Sequence, residues 1–132
     1  MTAKESGVVN IKGKSYKTVA LRVSEFRADH SIDDGWSITT ELIECNHDQV
    51  IVKASIYKDG GPALATGYAQ ETWTGNITKV SAVEVGETSA IGRALAAAGW
   101  AGSEFASADE VQRAIDQRQS GKTNRPAVSE AT

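Results

Sequence analysis

The sequence contains a single cysteine and only two prolines in 132 residues. One cysteine, Cys45, excludes an intrachain disulfide and is typical of proteins in a reducing compartment. No apolar run approaches the length of a membrane span, and the N-terminus lacks the apolar stretch of a signal peptide. We therefore expect a cytoplasmic protein without a membrane partner.

Aromatic residues and net positive charge are also scarce. Aromatic residues make up 6% of the chain, and the formal net charge is −3. Few aromatic residues argue against a protein that protects single-stranded DNA by base stacking. The acidic balance gives no support to nucleic-acid binding and favours a structural or regulatory oligomer without a nucleic-acid role.

No motif in the sequence supports catalysis or metal binding. Ser120-Gly121-Lys122-Thr123 resembles the end of a phosphate-binding loop, but Asp116 stands where that motif needs its first glycine. The run from Cys45 to Asp48 is more typical of a turn than of a metal site, and we interpret the isolated His30 as a surface residue. We expect no catalytic residue, no metal ligand and no cofactor.

Hydrophobic periodicity predicts an α+β fold in which helices cover a three-stranded antiparallel β-meander. Thr18 is the predicted cap of the first helix, Gly99 ends the long helix, and Ser107 to Glu110 forms a capping box for a short C-terminal helix. The predicted elements are a helix over residues 18–29, strands over 36–44, 49–57 and 63–73, the long helix over 79–99, and the last helix over 108–119.

The chain divides into a core and two tails. Residues 1–10 are predicted to be a flexible N-terminus, residues 11–119 form one domain, and residues 120–132 have the small, polar composition of a disordered tail.

The long helix has one face that is nearly bare of bulky side chains. This stripe consists of Lys79, Ala82, Gly86, Ser89 and Arg93, with a cation near each end. A bare face between cations suits a surface along which an extended anion lies. A basic loop with Lys12, Lys14 and Lys17 adds further cations. These residues alone still favour a generic interaction domain.

Three stretches in this order resemble the Rad-fifty-two-like superfamily of single-strand annealing proteins, which includes phage recombinases of the Sak and Erf kind. The stretches are Gly13 to Val23, Gly35 to Thr39, and Thr66 to Tyr68 followed by Glu87 to Gly99. The resemblance implies a non-enzymatic phage protein of the bacterial host cytoplasm that binds single-stranded DNA and anneals complementary strands without ATP during recombination. It also implies a homo-oligomeric ring or filament, with an exonuclease or a host single-strand binding protein as a candidate further partner.

The resemblance matches Arg93 to an arginine of the family that contacts phosphates, and the basic loop to further cations. Gly92 departs from the family pattern, which has a lysine there in eukaryotic members. Two alternatives stay open: an oligomeric structural or regulatory protein, and a plain single-strand DNA-protecting protein. The predicted DNA-binding residues are Lys12, Lys14, Lys17, Lys79, Ser89 and Arg93.

Overall fold

A computed structural model describes residues 6–73 and 81–124 of the chain. These residues form two antiparallel sheets and three helices, which confirms the α+β class. In chain order the elements are β1 (Val8–Ile11), β2 (Lys14–Lys17), α1 (Val19–Asp29), β3 (Trp36–Cys45), β4 (Gln49–Lys58), β5 (Ala65–Thr72), α2 (Ala82–Ala97) and α3 (Ala108–Asn124).

The predicted meander is present as a sheet in the order β3-β4-β5. Its register pairs Ile38 with Ile56, and Val52 with Ala69, so apolar residues of neighbouring strands meet on one face. The helix α2 packs across this face, and Phe26 of α1 lies in the same core. The helix α2 therefore covers one side of the sheet, while α1 packs against α2 and reaches the same core through Phe26.

The first helix begins as its sequence predicts. The hydroxyl of Thr18 accepts a hydrogen bond from the backbone N–H of Leu21 at 3.1 Å, which caps the helix N-terminus. A second cap comes from α3, where the carboxylate of Asp109 accepts from the backbone N–H of Val19 at 2.8 Å. The start of α3 is thus attached to the start of α1.

Small residues let α2 lie close to the sheet. A Cβ at Gly67 of β5 would lie 2.4 Å from the backbone nitrogen of Ala94, which no substitution could accommodate without moving the helix. Gly99, with φ of 111°, ends α2, and the Trp100 N–H donates to the carbonyl of Leu95 at 2.9 Å. This Schellman-type ending confirms the predicted glycine cap.

The segment expected to be a basic loop is a hairpin. β1 and β2 pair in antiparallel register around a two-residue turn, Lys12-Gly13, in which both residues have positive φ (51° and 84°). That is the geometry of a type I′ turn, the connection that suits hairpin twist. The two strands have four residues each and too little alternation to be recognised from their pattern. β1 also includes residues 8–10, which the sequence placed in the N-terminal tail.

The predicted capping box of α3 is present. The Ser107 hydroxyl accepts from the Glu110 N–H at 3.2 Å, and the Glu110 carboxylate accepts from the Ser107 N–H at 3.0 Å. The helix continues to Asn124, past the predicted end at residue 119. Residues 125–132, the rest of the predicted tail, lie outside the described residues. Among the described helices, none is long and apolar enough to cross a membrane.

Candidate nucleic-acid interface

The β1–β2 hairpin carries three of the predicted DNA-binding residues. Lys12 occupies the exposed turn, and the side chain of Lys14 is 64% exposed. Lys17 is more enclosed, and its ammonium donates to the Glu25 carboxylate of α1 at 2.8 Å. Lys14 lies 3.9 Å from a carboxylate oxygen of Glu104, at the outer limit of an ion pair. The hairpin therefore presents two cations to solvent and holds the third in an internal pair.

Lys12 has no carboxylate within 4.0 Å in the described part of the chain. Lys12 has a positive φ, which is unusual for a residue with a side chain. Glycine, which adopts positive φ readily, occupies only the second position of the turn. Lys12 therefore carries its charge at the exposed tip of a short hairpin.

From Ala82 to Ser89 the bare stripe of α2 faces the interior, which corrects the expectation that an extended anion lies along it. Ala82 is fully buried and Ser89 is 1% exposed. A Cβ at Gly86 would lie 3.1 Å from the side chain of Val52 in β4. The stripe is bare because the helix backbone approaches the sheet there. Lys79, its first residue, lies outside the described residues.

Ser89 belongs to a polar cluster inside the protein. Its hydroxyl accepts from the guanidinium of Arg113 at 3.2 Å, and the same guanidinium donates to the Glu71 carboxylate at 2.8 Å. Burial raises the pKa of Glu71, and the positive charge of Arg113 opposes that rise. The cluster joins α2, β5 and α3, and Ser89 does not reach the outer surface.

Arg93 remains partly accessible, but it has an internal partner. Its side chain is 44% exposed, and its Nε donates to the Glu110 carboxylate at 2.8 Å. The same Glu110 closes the capping box of α3, so one carboxylate serves both interactions. A phosphate at Arg93 has to compete with this carboxylate.

Arg22, which was assigned no role from the sequence, is fully buried. Its guanidinium donates to the Gly92 carbonyl at 2.8 Å and to the carbonyls of Glu104, Phe105 and Ala106 at 2.9–3.1 Å. Burial lowers the pKa of Arg22, and the carboxylates of Glu110 and Asp109 oppose that change. The sequence feature that could have indicated its burial is its position on the apolar face of α1.

His30 is also placed differently from its prediction. The imidazole stacks on Phe26 and meets Trp36 and Trp100 edge to face, with ring centroids 4.5–5.2 Å apart. It is part of an aromatic cluster rather than a surface side chain. Over residues 6–73 and 81–124, no group of three or more His, Cys, Asp or Glu residues could hold a metal ion.

The order helix, three-stranded meander and helix, with α2 on one sheet face and α1 packed against α2, defines a small α+β domain. A family model described as Slr1353 N-terminal dsRNA-binding domain-like matches residues 23–98, more than half of the chain, and the chain belongs to this family. The match runs from within α1 to the end of α2, while the hairpin and α3 lie outside it. No curated protein and no solved structure matches the chain.

This match overturns the resemblance to the Rad-fifty-two-like superfamily, because the family that the chain matches is a different one. The residue roles that the resemblance implied lose that support and remain predictions from position and charge. The description of the matching family suggests nucleic-acid binding in general.

Proposed function

We propose that this protein binds nucleic acid without catalysing a reaction on it, and that the β1–β2 hairpin contacts the phosphate backbone. Membership of a dsRNA-binding domain-like family is the observation that carries the first part. The second part rests on Lys12 and Lys14, which are exposed and weakly paired or unpaired. Lysines on a short hairpin suit phosphate contacts, which require charge and reach but no base recognition.

The acidic net charge limits how such a site works. With a total of −3, attraction at long range is weak, and affinity has to come from local contacts. Each lysine that neutralises a phosphate of a single strand contributes about 0.7 to the slope of log affinity against log salt concentration. Two hairpin lysines thus predict a shallow slope of about −1.4 per protomer.

The finer form of the proposal is binding of single-stranded DNA and ATP-independent annealing of complementary strands. Annealing is downhill once strands are held extended, so a protein that aligns them lowers the barrier without an energy source. Double-stranded RNA is the second candidate ligand, and the description of the matching family favours it. The two candidates differ in the nucleic acid that binds most tightly.

Self-association would raise affinity by linking several weak sites. β3 and β5 are the two edges of the sheet in the described residues, and β3 carries the exposed side chains of Leu42 and Ile43. Exposed strand edges with apolar side chains favour pairing with another chain. We include a homo-oligomer in the proposal, to be checked by light scattering with and without nucleic acid.

The test measures fluorescence anisotropy with four labelled probes of one sequence: single-stranded DNA, single-stranded RNA and the two duplexes, over a range of salt concentrations. Lys12→Asn and Lys14→Gln are combined in one variant. Asparagine suits the left-handed turn position, so the variant removes charge without straining the hairpin. Arg118→Gln, which removes an exposed charge on α3, is the matched control.

The proposal expects at least one probe to bind, the hairpin variant to lower affinity and flatten the salt slope, and the control to retain both. Absence of binding to all four probes at low salt overturns it. An equal loss in the hairpin variant and the Arg118→Gln control overturns the hairpin assignment. A mixing experiment with complementary labelled strands, without ATP or metal, then tests annealing separately.

A further inference from the structure

The face of the meander opposite α2 is exposed along β5. From Thr66 to Thr72 the residues of β5 alternate between exposed and buried, so every second side chain points away from the helices. The exposed residues of this strand are Thr66, Tyr68, Gln70 and Thr72. Half-buried side chains of the central strand, Ile51, Lys53 and Tyr57, share this face by register.

Tyr68 is a large aromatic side chain on this open face and is 54% exposed. The register places Lys53 directly across from Tyr68, and Glu41 of β3 directly across from Lys53. The Lys53 ammonium lies 5.8 Å from the centroid of the Tyr68 ring, close to the outer limit of a cation–π contact. Glu41 forms no ion pair with it within 4.0 Å.

We propose that this open sheet face binds single-stranded nucleic acid, with Tyr68 as a stacking platform for a base and Lys53 as a contact to the adjoining phosphate. The inference deepens the proposed function and rests on it. Single-stranded nucleic acid is held by aromatic side chains that stack on bases beside cations that track the backbone. Lys53, at the limit of its contact with the ring, is free to turn toward a phosphate.

The composition of the open face argues for this ligand over a second protein chain. Around Tyr68 the exposed neighbours are hydroxyl and amide side chains, Thr66 and Gln70, rather than the contiguous apolar residues of a packed sheet interface. Hydroxyls such as that of Thr66 supply hydrogen bonds to base edges and sugars, whereas the amide nitrogen of Gln70 already donates to the Gln49 side chain. The low aromatic content of the sequence did not indicate this site, because stacking depends on where a ring is exposed rather than on how many rings the chain contains.

Tyr57 offers a second aromatic ring on the same face. It lies four positions from Lys53 along β4, a distance of about 13 Å at the rise of a strand. It pairs in register with Ser37 of β3. Because Lys53 lies directly across from Tyr68, the two tyrosines are about 13 Å apart along the strand direction, which suits a nucleic-acid strand that follows β4 and β5 with intervening nucleotides between its stacked bases.

The experiment compares Tyr68→Leu with Tyr68→Phe, using a labelled single-stranded oligothymidylate and anisotropy. Phenylalanine retains the ring, whereas leucine retains only apolar bulk, so loss in Tyr68→Leu alone identifies stacking. The expected loss in Tyr68→Leu is about 5- to 150-fold, the range for one stacked base. Phe105→Leu is the matched control, since Phe105 is 52% exposed in the loop before α3. Lys53→Gln is expected to reduce the salt slope by about 0.7.

The outcomes separate this inference from the proposed function. If the unmodified protein binds single strands and Tyr68→Leu binds equally well, the sheet-face site is wrong while nucleic-acid binding stands. Binding of duplexes alone also overturns the sheet-face site. If no nucleic acid binds, the proposed function itself fails. If Tyr68→Leu lowers the mass measured by light scattering while affinity per protomer is unchanged, the face is an interface between copies, and the inference is wrong. Thermal unfolding of each variant verifies that it is folded.

Discussion

The buried guanidinium of Arg22 provides the sharpest test of how this domain is held together. Arg22→Met keeps a long apolar side chain in place and removes every hydrogen bond that the guanidinium donates. One of these bonds goes to Gly92 in α2, and the others go to the backbone of residues 104–106. The substitution therefore disconnects α1 from the segment that leads into α3.

The expected loss of stability follows from the hydrogen bonds that the substitution removes. Hydrogen bonds from a charged group are each worth about 1.5–3 kcal/mol, and a buried carbonyl left without a donor costs about 1–3 kcal/mol. The burial that lowers the pKa of Arg22 shows that desolvation of the guanidinium offsets part of this gain. We expect a net loss of about 4 kcal/mol in the free energy of unfolding. For a domain of this size that corresponds to a melting temperature lower by about 10–20 °C.

The measurement is urea unfolding followed by tryptophan fluorescence, since Trp100 and Trp36 contact the core beside α1. Arg22→Lys is the companion variant. Lysine retains the charge but has one nitrogen in place of the planar fork, so it should recover about half of the loss. The net stability of a domain is about 5–15 kcal/mol, so a loss of about 4 kcal/mol is easily measured. A free energy of unfolding for Arg22→Met within about 1 kcal/mol of the unmodified chain refutes this account of the guanidinium.

Four further predictions test other parts of the structure. Gly67→Ala should unfold the domain or lower its stability by more than about 3 kcal/mol in thermal melts, because the new methyl group meets the backbone of α2; wild-type stability contradicts the close approach. Arg113→Leu should cost about 3 kcal/mol by leaving Glu71 buried without its partner, and a double-mutant cycle with Glu71→Gln checks the pairing. The raised pKa of Glu71 adds stability that is complete below the ordinary pKa of a glutamate and is lost as pH rises through the raised value. The stability of the unmodified chain relative to Glu71→Gln should therefore increase as pH falls. A stability difference that does not change with pH contradicts this. Arg93→Ala should lower the free energy of unfolding by about 1 kcal/mol, because the ion pair with Glu110 is lost. Glu110→Gln keeps the capping box but releases the Arg93 charge. If Arg93 contacts phosphate, Glu110→Gln should strengthen nucleic-acid binding, and unchanged affinity assigns Arg93 a structural role.

Local sequence patterns determined most of the secondary structure. The Thr18 cap, the alternation of β4 and the Ser107–Glu110 capping box act over a few residues, and each element lies where its pattern predicts. The β1–β2 hairpin was missed because its strands are too short to carry a period.

Only the tertiary structure decided what each face meets. A stripe of small residues on α2 has the same spacing whether it lies against a ligand or against a sheet, and the packing of Gly86 on Val52 settles that it meets the sheet. Charge in the sequence likewise does not reveal its partners. Arg22 is buried among carbonyls, and Arg93 is paired with a carboxylate from α3. Tyr68 stands exposed because strand register, a relation between distant residues, assigns it to the open face of the sheet.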